Sequence, residues 1–136
     1  MKIEVRGVLT LLQVFDMPTS VHFYRDVLGF EIVQTTTPRE GDQFDWGLLR
    51  SGNTELMLNT LHEPHKRPAQ PDLARIKAHR DVALYFGCSD VEAAYRHLLA
   101  HGIDAEKPKV APWGAKMCYL RDPDGYTLCF QWPEGK

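Results

Sequence analysis

The chain has 136 residues, 43% hydrophobic and 25% charged, which suits one globular domain or two small fused modules of ordinary soluble composition. Its formal net charge of -2 argues against electrostatic binding of nucleic acid or of an anionic membrane, and no apolar run reaches the length of a membrane span. The three cysteines, Cys88, Cys118 and Cys129, lack paired spacing, and Glu4 and Arg6 interrupt any leader-like apolar start, so reduced thiols and a cytoplasmic setting are expected.

In chain order, Val8 to Phe15 reads as a buried strand. Asp16 is placed to cap a helix with Pro18 in its first turn. That helix puts Val21, Tyr24 and Leu28 on one face and stops at Gly29. Phe30 to Val33 and Gln43 to Arg50 read as strands, and Ser51-Gly52-Asn53 as a hairpin turn before a strand from Thr54 to Asn59. A polar connector with prolines at 64, 68 and 71 follows; Leu73 to Lys77 is its one helical stretch.

The order then repeats. Asp81 to Cys88 reads as a strand, and Asp90 caps a helix that ends at Gly102. Strands are expected over Ile103 to Glu106, Ala115 to Leu120 and Tyr126 to Trp132, the last entered through the turn Asp122-Pro123-Asp124-Gly125. DMPTSVHFYRDVLG aligns with DVEAAYRHLLAHG as a capped helix closed by glycine. The expected organisation is one domain, 1–136, with module one at 7–60, a connector at 61–80 and module two at 81–132.

With FYRDVLGF at 23–30 and RDPDGY at 121–126, this repeat resembles the vicinal oxygen chelate superfamily, which includes glyoxalase I, bleomycin-resistance proteins, fosfomycin-resistance transferases and extradiol dioxygenases. The resemblance covers essentially the whole chain. It implies an α+β fold of paired βαβββ modules, with curved sheets around a cleft and helices outside, and a homodimer. Metal-dependent relatives carry His and Glu ligands on the first and last strands of each module. The matching positions here are Leu9, Glu55, Asp81 and Cys129. Leucine cannot coordinate, Glu55 keeps its chemistry, Asp81 stands where His is usual, and Cys129 stands where Glu is usual. Two hard carboxylates and one soft thiolate match a single divalent ion poorly.

Cys129 as a nucleophile would need a base and a depressed pKa; as a small wall residue it needs neither. Glu55 and Asp81 are the candidate catalytic carboxylates, either one serving as a general base if their environment raises its pKa. His62 and His65 lie near Glu63, but Pro64 breaks the helical spacing that a zincin motif requires. Strand parity puts Leu9, Leu11 and Gln13 on one face, with Met57 and Asn59 beside Glu55. Trp46, Tyr85, Trp113, Tyr119 and Cys129 complete the candidate ligand-binding set.

Two readings remain open. The first is a metal-independent protein that binds an apolar or aromatic small molecule, with no cofactor. The second is a lyase, isomerase or dioxygenase that uses Glu55 as base or as ligand to a divalent metal, with Asp81 and Cys129 as the remaining donors.

Overall fold

The computed structural model describes residues 1–135. The chain divides into two units, residues 1–69 and residues from 70 onward. In the first, β1 (Thr10–Val14) leads to α1 (Met17–Val21), and then to β2 (Glu31–Thr35), β3 (Trp46–Ser51) and β4 (Thr54–Thr60). The sheet order is β1-β4-β3-β2, with β1 parallel to β4 and the other pairs antiparallel. Alternation along the strands decides the burial. Leu12, Val14, Leu49, Leu56 and Leu58 point to the helix side and are at most 2% exposed, as are Val21 and Tyr24. Burying each leucine fully is worth about 1.5–3 kcal/mol.

Asp16 caps α1, accepting from the Thr19 amide at 3.2 Å. Only one turn is α-helical. His22–Val27 widens into a π-helix, with the Leu28 amide donating to the Phe23 carbonyl at 3.0 Å. The wider winding brings Phe23 and Val27 into the core beside Tyr24 and leaves Leu28 half-buried. This corrects the expected Val21, Tyr24, Leu28 face, which assumed 3.6 residues per turn. Arg25 then reaches Asp42 with two bonds of 3.0 Å. That bidentate pair ties the helix to the loop between β2 and β3.

The second unit begins with α2 (Leu73–Ala78) and a 3-10 turn, His79–Asp81, followed by β5 (Ala83–Gly87) and α3 (Val91–Ala100). β6 (Lys109–Val110), β7 (Ala115–Arg121) and β8 (Thr127–Pro133) complete it. The order β5-β8-β7-β6, with β5 parallel to β8, repeats the first sheet. Leu120, Leu128 and Cys118 line one face with Val91 and Leu98 of α3, all at most 2% exposed. No helix among the described residues is long and apolar enough to cross a membrane.

Several expected boundaries move. The first strand covers only residues 10–14, and Val8, Leu9 and Leu11 are exposed rather than buried. Ile103 to Glu106 is not a strand. The Ile103 amide closes the end of α3 on the Leu98 carbonyl at 2.9 Å, through Gly102 at φ 74°. The Glu106 amide still donates to the Tyr119 carbonyl at 2.8 Å, but the regular ladder with β7 starts only at Lys109, past Pro108, which has no amide hydrogen to give. Asp81 lies in the 3-10 turn rather than on β5, because Val82 bonds back to the His79 carbonyl at 3.0 Å. Arg67 pairs with Asp16 in the first unit, and α2 with its 3-10 turn packs on the second.

Candidate functional site

Each sheet has one face turned away from its helix. In the first unit that face is a grid fixed by register. Gln13, Asn59 and Trp46 form one cross-strand row, and Leu11, Met57 and Leu48 form the next. The Asn59 amide donates to the Gln13 side-chain oxygen at 3.1 Å, so the middle of the face carries a paired amide rather than a charge. Trp46, Leu48 and Met57 are partly exposed. Leu9 precedes β1 at 44% exposure. Glu55 lies one row beyond and pairs with its cross-strand neighbour Arg50 at 2.9 Å.

In the second unit the matching row is Tyr85, Cys129 and Tyr119. The tyrosine hydroxyls meet at 3.0 Å and their rings stand edge to face, 6.0 Å apart. Cys129 has no exposed surface and packs with Met117 and Ala115, with Tyr119 laid against that cluster. Burial pushes the Cys129 thiol up, and hydrogen bonds from the Cys118 amide and with Tyr119 do not reverse this. A thiol held protonated in apolar surroundings is a packing group, not a nucleophile. Its hydrogen bond with Tyr85, then burial, pushes the Tyr119 hydroxyl up as well. The phenol therefore stays neutral and able to donate. Trp113 stands 72% exposed in the turn before β7.

The unit-one candidates Leu11, Gln13, Trp46, Met57 and Asn59 thus share one open face, and Tyr85, Tyr119 and Cys129 share another. Asp81 and Trp113 belong to turns. Sequence parity missed Leu48 and Gln34, which extend the Leu11–Met57 row across β3 and β2. Alternation from Trp46 would have found Leu48. Gln34 is beyond simple parity because β2 slips register between Ile32 and Gln34.

The metal-ligand positions do not fit a divalent ion. Leu9 has no donor atom, Glu55 is engaged by Arg50, and Cys129 is a buried, protonated thiol where a metal needs the thiolate. Among the described residues no group of three His, Cys, Asp or Glu side chains is placed to hold a metal.

A sequence profile of the Glyoxalase/Bleomycin resistance protein/Dioxygenase superfamily matches residues 8–130. The chain belongs to that superfamily. The protein described as uncharacterized protein YaeR of Escherichia coli (strain K12) is 29% identical over 114 residues, 83% of this chain and 84% of that protein. The crystal structure of SMU.1112c superposes with a TM-score of 0.75 at 30% identity, covering 95% of this chain and 100% of that one. A bleomycin resistance determinant encoded on transposon Tn5 does so with a TM-score of 0.67 at 25% identity, covering 96% and 99%. Two four-stranded mixed sheets with a few helices are the superfamily's α+β fold, as the resemblance implied.

Proposed function

We propose that the protein binds a small apolar or aromatic molecule against the open faces of its sheets, without a metal ion, as a cytoplasmic homodimer. The observation that carries this reading is the pair of cross-strand grids. One has Trp46, Leu48, Met57 and Leu11 around a paired amide; the other has two tyrosines over a buried thiol. Apolar and aromatic surface with a few fixed polar groups is the usual make-up of small-molecule sites. Tyr and Trp give flat contact area at low entropic cost, with one polar handle each. Membership of a superfamily that includes a bleomycin resistance determinant supports a ligand-binding role. The poor donor set favours the metal-free reading over a metal-dependent lyase or dioxygenase.

Titration with a panel of aromatic ligands, followed by tryptophan emission, tests it. Saturable quenching that Trp46→Phe largely removes is the expected result. An absence of quenching across the panel overturns the reading.

A further inference from the structure

A second recess lies in the first unit, away from the open sheet face. It is a cavity of about 270 Å³ at the ends of β1 and β4, between the β2–β3 loop and residues 61–67. Arg39, Glu40 and Gln43 line it from the loop; His62 and Arg67 line it from the other side, over Phe15. We propose that this recess binds a small amino-acid-like zwitterion with an apolar side chain.

Both walls are built before any ligand arrives. In the loop, the Arg39 amide donates to the Gln43 carbonyl at 2.8 Å and the Gln43 amide to the Glu40 carbonyl at 3.0 Å. The Thr36 hydroxyl accepts from the Asp45 and Trp46 amides at 3.0 and 3.1 Å, and the Arg25–Asp42 pair holds the loop to the helix. On the other wall, the Leu61 amide donates to the Val14 carbonyl at 2.9 Å. The His62 ring stands edge-on to Phe15 at 6.3 Å, and the Arg67 guanidinium lies 5.2 Å over the same ring. A site assembled in advance pays little ordering entropy on binding.

The charges select the ligand. Arg67 pairs with Asp16, and Arg39 with Asp45 at 2.5 Å. Each guanidinium has five N–H donors, and its carboxylate takes one. The rest remain for a second carboxylate. Glu40 is the one carboxylate in the lining, and no ion pair among the described residues engages it. With Asp16, Asp45 and Glu40 set against Arg39 and Arg67, a simple anion enters a region already rich in carboxylates. A simple cation meets the two guanidiniums. A zwitterion adds no net charge: its carboxylate takes the spare guanidinium donors and its ammonium pairs with Glu40. Phe15 and Pro64 offer the apolar surface. The volume falls just below the range of about 300–1,000 Å³ typical of drug-sized ligands, which suits a smaller metabolite.

The test uses the full chain and amide NMR, with L-phenylalanine, 3-phenylpropionate and phenethylamine as probes. Saturable shifts confined to residues 15–17, 39–43 and 60–67 are expected with L-phenylalanine, and each half-molecule should bind about tenfold more weakly, as loss of one charge-assisted pair implies. Glu40→Gln, which removes no structural contact, should cost L-phenylalanine the same factor and leave 3-phenylpropionate unweakened; Arg67→Met should weaken both acids. No shift with L-phenylalanine at millimolar concentration, shifts elsewhere in the chain, or affinity unchanged in Glu40→Gln overturns the proposal. Ligand binding at the open sheet faces is read separately, from shifts at Gln13, Trp46, Met57, Tyr85 and Tyr119, so loss of the recess signal leaves that reading untouched.

Discussion

In the first unit, β4 is entered through Ser51-Gly52-Asn53, and a Cβ added at Gly52 would meet nothing within 4 Å. In the second, β8 is entered through Asp122-Pro123-Asp124-Gly125, and a Cβ at Gly125 would stand 2.3 Å from the Ile76 carbonyl oxygen of α2. Both glycines have left-handed φ, 59° and 87°. One turn is free and the other is clamped. The Asp122 side chain accepts from the Asp124 and Tyr126 amides at 2.9 and 3.0 Å. The His79 ring stacks on Tyr126 at 4.1 Å, and its Nδ1–H donates to the Asp124 carbonyl at 2.7 Å. A repeated plan thus carries two different levels of constraint. The packed turn delivers β8, which holds Cys129 under the tyrosine pair, whereas the open hairpin delivers β4 and an adaptable apolar grid.

The largest break in this comparison is expected at the glycines. Gly125→Ala adds a backbone clash to left-handed strain and should cost about 3 kcal/mol or more. Gly52→Ala meets only the strain and should cost about 1 kcal/mol. Urea melts of the two variants check the ordering, and equal losses would refute the clamp. Next comes Cys129→Ser, which buries a more strongly hydrated and smaller group where the sulfur packs against Met117 and Ala115, and should cost about 1–3 kcal/mol. Cys129→Ala should cost less, since it leaves a small void and buries no hydroxyl.

The thiols sharpen the same contrast. Cys88 is partly exposed, while Cys118 and Cys129 are buried, and burial pushes Cys118 up to about 11. Labelling of the native protein with a thiol reagent near neutral pH should modify one cysteine quickly, and denaturant should release the other two.

Acid probes the first unit. Burial raises the Asp16 carboxyl, but bonds from Thr19 and Arg67 outweigh it, so its pKa sits below the ordinary 3.8. The stability this contributes is present above that ordinary value and is lost as pH falls through the lowered one. The stability gap between the native chain and Asp16→Asn should therefore be constant at neutral pH and shrink only below about pH 4. The smallest effect is expected for Glu55→Gln, which breaks a half-exposed surface pair with Arg50 and should change stability by about 0.5 kcal/mol or less.

Much of the fold was legible in the sequence. Period-two alternation set Leu11 and Gln13, and Met57 and Asn59, on the face opposite the buried Leu12, Leu56 and Leu58, and the caps at Asp16 and Asp90 were read from residue type and position alone. What escaped depends on contacts distant in sequence or on small changes in winding. The π-helix at His22–Val27 has no simple periodic signature. The 3-10 turn that removes Asp81 from β5 is set by packing against residues 124–127, more than forty positions away. Parity put Leu11 with Gln13 and Met57 with Asn59, because it is local, and it missed Leu48 and Gln34. It did not reveal that Arg50 would occupy Glu55 or that Tyr85 and Tyr119 would close over Cys129, because register decides those pairs.

The central claim is that the open faces bind an aromatic ligand without a metal. The most direct measurement is the affinity of one such ligand, chosen by quenching of tryptophan emission, for protein exhaustively stripped by chelator and again after one equivalent of divalent ion. Equal affinity in both states, lost on replacing Trp46, is the predicted result. Binding that appears only with the metal, and disappears in Glu55→Gln, would contradict it.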